Sequence, residues 1–427
     1  MRDPENALIL IGMMELADIL KQAGYEGTEL TFENIYKGFL RKPHLLERPL
    51  LEYARLDQLR NLINIPHEAG SDVEHFLQPL EADTEKKTVI RFILYAMLDD
   101  SPLVSHRWDD VPYPVFFERA QHGLFRMVVI FAALDRGRYL REQRKFPVEK
   151  VKPLLAEARS NIMKRREKTG EWGGSDLNWV VCRVSHYMTR QGNLYIIPCV
   201  LSDIYFTMYK NDWTRQTTAL CDPDMAVREG GQPTLIPKEG TFLTKFSETD
   251  TAVTGTPIDP RGVIMNKSVQ LDKKLWHRAM GKGDIAYELY IPQGIPYEPA
   301  HFLLSFRHAI EFYGRYFPEM KFSAFFCLSW LFSPQIDKLI QNTESRIIEI
   351  FRQGFIIPER SELSVFFRFI FGHSNIDIKT VQANTSLQKN LIAYLREGNQ
   401  VNWGRFVYLL EDLDRWGSKP YQSQVQV

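Results

Sequence analysis

Residues 288–306, ELYIPQGIPYEPAHFLLSF, read as the end of a strand, a short loop of Gly and Pro, and the start of a helix. In the strand 284–291, Ile285, Tyr287, Leu289 and Ile291 alternate onto one face and Ala286, Glu288 and Tyr290 onto the other. Pro292, Gln293, Gly294, Ile295 and Pro296 then make the turn, with Glu298 at the N-cap and Pro299 at the first helical position. The helix that follows, Pro299–Tyr316, is expected to bury Phe302, Phe306, Ala309, Ile310 and Tyr313, with Phe317 just beyond it. Such a loop either cradles a phosphate on the free N–H groups of the helix start, Gly294 letting the backbone approach, or only turns the chain. One glycine is a weak signal and Glu298 repels an anion, so spacing alone favours the plain turn.

Working outward, the next strand, 322–330, puts Ser323, Phe325, Cys327 and Ser329 on one face and Phe322, Ala324, Phe326, Leu328 and Trp330 on the other. Both faces are largely apolar, as in a central strand covered on both sides. A helix over 334–341, strands over 346–356 and 365–371, and a helix over 386–396 complete a β-α-β-α-β-β order. That order predicts two adjacent parallel strands joined by a right-handed crossover, an antiparallel final pair and a mixed sheet. Thr385 with Gln388 forms a capping box for the last helix, and Gly398 stands where a C-terminal glycine belongs.

Upstream, 193–209 is rich in β-branched and aromatic residues, with Pro198 marking an edge or a bulge. Strands over 217–220, 241–246 and 267–271 are separated by the turn-rich REGGQP and GTPIDPRG, as hairpins are. Before about residue 190 the period is helical, with helices over 5–22, 32–40, 85–97, 115–136, 148–168 and 176–190. The fold class is therefore α+β. An all-helical domain over 1–170 precedes a mixed β-sheet domain flanked by helices over 171–427, ending in a disordered tail from Ser418.

Of the 427 residues 44% are hydrophobic and 25% charged, enough for a sizeable core in two or three domains. Lys plus Arg and Asp plus Glu both number 53, so bulk charge suggests neither nucleic acid nor an anionic membrane as partner. MKRREK, 163–168, reads as a solvated helix end. Cys182, Cys199, Cys221 and Cys327 form no C-x-x-C pair, which argues against a zinc site or a disulfide framework. The ten histidines form no metal-ligand spacing, His301 and His308 being two turns apart and His186 alone, so no metal is expected. The apolar run 127–134 is too short to span a bilayer, and MRDPENALIL lacks the basic and apolar regions of a secretion signal. A cytoplasmic protein is expected.

Cys327 reads as an inert core thiol, whereas Ser329, at the C-terminal end of its strand, stands where ligands collect in open α/β sheets. Four ordered segments carry a family resemblance: TGTPIDPRGVIMNKSVQLDKKLW at 254–276, GDIAYELYIPQGIPYEP at 283–299, FYGRYFPEMKFSAFFCLSWLFSPQIDKL at 312–339, and FFRFIFG with TSLQKNLIAYLREG at 366–398. Together they resemble the C-terminal region of bacterial acyltransferase domain-containing proteins. That family pairs a helical N-terminal N-acyltransferase domain with a domain of GNAT type, the superfamily of acyl-CoA-dependent N-acyltransferases.

The resemblance implies that the strand at 284 splays from its neighbour and that PQGIPY is a pyrophosphate loop, although of the usual Q/R-x-x-G-x-G/A only Gln293 and Gly294 are echoed. It implies acetyl-CoA or another acyl-CoA as co-substrate, held by the backbone at Gln293, Gly294, Ile295 and Tyr297, and a small-molecule amine as acceptor. Glu288 would then be the base, and Tyr290 or Ser329 would donate to the departing thiolate. The plain alternative for Tyr290 is an aromatic packed with a satisfied hydroxyl. The family pattern has histidines where Tyr290 and Leu328 stand here and near Arg183. Their absence supports a second reading, a catalytically degenerate acyl-CoA or small-ligand binding protein. The large helical part supports a third, a structural or adaptor protein. Trp172 and Trp179 are expected to mark an aromatic junction where the two parts meet.

Overall fold

The computed structural model describes residues 14–25, 32–98, 113–174, 177–185, 187–292, 294–341, 345–360 and 363–422. Several expectations fall outside them: the start of the helix over 5–22, the first residue of the helix over 176–190, His186, Gln293 and the last five residues of the tail. The chain divides into two compact units, 1–190 and 191–427.

The described part of the first unit is helical up to Ser185. Helices Glu33–Leu40, Thr84–Leu98 and Lys152–Thr169 lie close to the expected ranges, whereas the helix expected over 115–136 runs from His122 to Arg144. The helix His122–Arg144 buries Phe125 and Met127 through Phe131 along one continuous run. Gly137 lets it cross Leu177–Ser185 closely: a Cβ there would lie 1.8 Å from the carbonyl oxygen of Val184. Buried Arg141 donates to that same oxygen at 3.1 Å, and burial pushes its guanidinium down to about 10. The helices Tyr53–Leu62 and His67–Glu81 escaped the sequence reading. The second buries Ala69, Val73, Phe76, Leu77 and Leu80, a helical spacing interrupted to the eye by Pro79. Trp172 donates to Asp72 Oδ2 at 2.7 Å, and Arg183 lies over the ring of Trp179 at 3.9 Å; these contacts all lie inside the helical unit.

In the second unit the main sheet holds β1 (Thr189–Gln191, where the chain passes from one unit to the next), β2 (Leu194–Val200), β3 (Ile285–Tyr290), β4 (Phe322–Ser329), β5 (Phe355–Pro358) and β6 (Gly404–Leu409). Their spatial order is β1-β2-β3-β4-β6-β5. β3 and β4 are adjacent and parallel as expected, β2 lies antiparallel to β3, and β6 lies antiparallel to both β4 and β5. The sheet is mixed. The long connection between β2 and β3 builds a five-stranded antiparallel sheet, a three-stranded one and a two-stranded ribbon. The expected strand over 241–246 is there split into Phe242–Leu243 and Phe246–Glu248.

The helix Pro299–Tyr316 joins β3 to β4 and covers one face of the sheet. Phe302, Phe306, Ala309 and Tyr313 are buried as expected, Ile310 is only half-buried, and Phe312 is buried in its place. Phe306 stacks on Phe325 of β4 at 3.8 Å between centroids, and the Tyr313 hydroxyl donates to the carbonyl of Ile196 at 2.6 Å. Each such aromatic contributes about 1.5–3 kcal/mol by leaving water.

Three expectations are corrected. Residues 346–356 are a helix, Arg346–Phe351, a turn at Gly354 and then β5, so only their end is strand. Residues 365–371 belong to a helix, Leu363–Phe371, whose Phe366 and Phe367 are buried while Phe369 is exposed. A nearly continuous apolar run of nine residues carries no alternation to distinguish the two states. The partner of β5 is instead β6, all six of whose residues are buried. Nor is the tail loose from Ser418: Tyr421 is fully buried, donating to Asp412 Oδ2 at 3.1 Å and accepting from Leu409 N at 3.0 Å. The capping box of Ser386–Arg396 is as expected, Gln388 N donating to Thr385 Oγ1 at 3.2 Å.

Candidate functional site

The parallel ladder between β3 and β4 pairs Ile285 with Phe322, Tyr287 with Phe325 and Glu288 with Phe326, and ends there. Beyond that point each strand keeps its outer neighbour. Leu289 and Tyr290 pair with Ile196 and Tyr195 of β2, while Cys327, Leu328 and Ser329 pair with Phe406, Arg405 and Gly404 of β6. The two strands thus fork at their C-terminal ends, inside the sheet rather than at its edge. A central fork exposes main-chain groups that would otherwise pair across, which is how an extended ligand is held as if it were a strand.

Glu288 stands at the crotch of the fork and is 4% exposed. Its neighbours across the ladders are Ile197 and Phe326, both apolar. A carboxylate in such surroundings is costly unless something compensates it. Tyr290 follows on the same face, opposite Tyr195 at the end of β3. Cys327 is the first residue of the other arm, and its thiol is pushed far up, by burial first and by the charge of Glu288 second. It stays protonated, in keeping with a core thiol. Ser329 caps its own turn: its Oγ accepts from Leu331 N at 3.2 Å, which leaves the hydroxyl proton to be donated.

From Tyr290 the chain runs through the loop to the helix start. Gly294 has φ +79°, the left-handed region, and a Cβ there would meet nothing within 4 Å. The loop is open at that point. Glu298 occupies the N-cap position without a side-chain cap bond. Its carboxylate lies instead 3.5 Å from Arg346 Nη1, which offsets part of the charge that would repel an anion. Two polar atoms here were not singled out from sequence: the Tyr297 hydroxyl and His301 Nδ1 are both buried and lack a hydrogen-bond partner among the described residues. Only packing distinguishes them; as letters they are an ordinary Tyr and His near a helix start.

The expected site residues are therefore brought to one end of the sheet: Glu288 and Tyr290 on β3, Ser329 on β4, and Gly294, Ile295 and Tyr297 in the loop after β3. No group of three or more His, Cys, Asp or Glu that would hold a metal occurs among the described residues. Nor, among them, is any helix long and apolar enough to cross a membrane.

Two solved structures resemble this chain over 95% of its length and 99% of theirs, each with a TM-score of 0.50. One is an acyltransferase mutant in complex with octanoyl-CoA, 15% identical; the other is an acyltransferase in complex with decanoyl-CoA and teicoplanin, 16% identical. What they share with this chain is the fold. No curated protein matches it. Residues 234–407, which include β3, β4, β5 and most of β6, match the family model described as GNAT-like C-terminal domain.

Proposed function

We propose that this protein transfers an acyl group from acyl-CoA to an amine, with the co-substrate lying in the fork between β3 and β4. The observation that carries the reading is the end of the ladder at Glu288 and Phe326, with a buried carboxylate at the crotch and hydroxyl groups on both arms. The relatives in fold are complexes with octanoyl-CoA and decanoyl-CoA, which supports an acyl-CoA here without fixing its chain length.

In this reading the main chain at Gly294, Ile295 and Tyr297 faces the pyrophosphate, where the N–H groups of the helix start favour negative charge. The acceptor amine loses a proton to Glu288, directly or through one water, and its nitrogen attacks the thioester carbonyl carbon. The C–N bond forms as the C–S bond breaks, and the leaving thiolate takes a proton from Tyr290 or Ser329. Cys327, held protonated, takes no part as a nucleophile. Most of the rate comes from holding amine and thioester in line.

The test is release of free thiol from octanoyl-CoA, followed with a panel of primary amines of differing size and polarity. Amine-dependent release, with the acylated amine detected by mass, supports transfer. Tight binding of acyl-CoA with no release toward any amine supports the second reading, a binding protein, which the residues Tyr290 and Leu328 at the family's histidine positions favour.

A further inference from the structure

The phenol of Tyr297 is a polar group that the reading above leaves without a task. Its ring packs on Phe302, with centroids 5.3 Å apart and planes at 59°. The residue as a whole is partly exposed, but its hydroxyl oxygen is buried and has no hydrogen-bond partner among the described residues. A hydroxyl shut away from water without a partner is destabilising, because its lost hydration is not replaced. Packing that maintains such a group marks a place where a partner arrives from outside.

The neighbours of the hydroxyl say where that place is. Tyr297 lies close enough to Cys327 for a charge on one to disfavour a charge on the other. Cys327 is the first residue of β4 past the last paired position, Phe326. The chain around Tyr297 thus leads from the open Gly294 to the inner arm of the fork. His301 Nδ1, further along the same segment, is a second buried polar atom lacking a partner among the described residues.

We propose that the Tyr297 hydroxyl donates a hydrogen bond to a carbonyl oxygen of the extended pantetheine arm of acyl-CoA as that arm enters the fork. This rests on the acyl-CoA reading of the site. The arm carries amide carbonyls and ends in the thioester, and each such oxygen needs a donor once it leaves water. Burial raises the phenol well above its ordinary pKa, so at neutral pH it is protonated and able to donate. The backbone of the loop and the side chain of Tyr297 then serve different halves of one ligand: phosphates outside, arm inside.

Tyr297→Phe removes the oxygen and nothing else. Calorimetric affinities for octanoyl-CoA and for the phosphoadenosine diphosphate half of coenzyme A, which lacks the arm, are compared in wild type and variant. The expected result is octanoyl-CoA binding weakened about tenfold with the nucleotide half bound equally well. The unliganded variant melts at the same temperature as wild type or higher, because the lost oxygen had no partner to lose. Unchanged octanoyl-CoA affinity, equal weakening toward both probes, or a lower unliganded melting temperature would each overturn the inference. Absence of binding by the wild type to either probe is a different failure: it removes the acyl-CoA reading, and this inference with it.

Discussion

Glu288 of β3 and Phe326 of β4 are the last residues at which the two parallel strands face one another. One is a buried carboxylate and the other an aromatic on a strand whose continuation pairs only outward, with β6. The same residue pair therefore marks the end of the ladder and the start of the fork. Moving the fork by a single residue would put Leu289, on the face of the crossover helix, where Glu288 now stands.

Glu288→Gln keeps the shape and removes the base. The turnover number is expected to fall by about a hundredfold to ten-thousandfold, with octanoyl-CoA affinity preserved. Turnover within threefold of wild type would remove Glu288 from the mechanism.

Asp412 holds the segment after β6 to the rest of the unit. It is fully buried and lies 2.8 Å from Lys210 Nζ, itself 4% exposed, and 3.2 Å from Arg415 Nη1. Asp412→Ala leaves the Lys210 ammonium buried without that partner, and the expected loss of stability by urea unfolding is about 3–5 kcal/mol. A loss below about 1 kcal/mol would show that Glu411, 3.7 Å from the same nitrogen, replaces it.

Stability should fall as pH rises through the alkaline range. Burial raises the thiols of Cys221 and Cys327 and the phenols of Tyr205, Tyr287, Tyr297, Tyr408 and Tyr421 above their unfolded values. Between the two sets of values the folded chain binds more protons than the unfolded chain, so the stabilisation is complete below about pH 8 and is lost progressively as pH rises above about 9. Urea midpoints taken from pH 7 to 10.5 check this. A flat profile would mean that these groups are hydrated in solution.

Much of this arrangement was legible because its signals are local. Pro299 at the first helical turn, the Thr385 and Gln388 box and Gly398 fix two helices to the residue, and the alternation in 284–291 puts Glu288 and Tyr290 on one face. β6 was missed because its six residues are buried on both faces and show no alternation. Its place between β4 and β5 depends on pairings with Phe355–Pro358 and with Ala324–Ser329, far away in sequence. Gly404 has a role of the same non-local kind: a Cβ there would lie 1.7 Å from the carbonyl oxygen of Phe332, so only glycine admits that turn against the strand. The fork is a matter of register between strands, and the unpartnered Tyr297 hydroxyl a matter of packing; neither is written in any one segment.

The most direct test of the central claim, that acyl-CoA occupies the fork with its phosphates at the loop, is the melting temperature with and without octanoyl-CoA in wild type and in Gly294→Trp. Open space around Gly294 admits the indole, at the modest cost of a left-handed φ for a residue with a side chain. At a hundred times its dissociation constant a ligand bound only to the folded state adds about 2.7 kcal/mol. The account predicts a clear rise in the wild type that the variant loses, the unliganded variant melting within a few degrees of wild type. No rise in the wild type at any saturating concentration, or an equal rise in the variant, would contradict it.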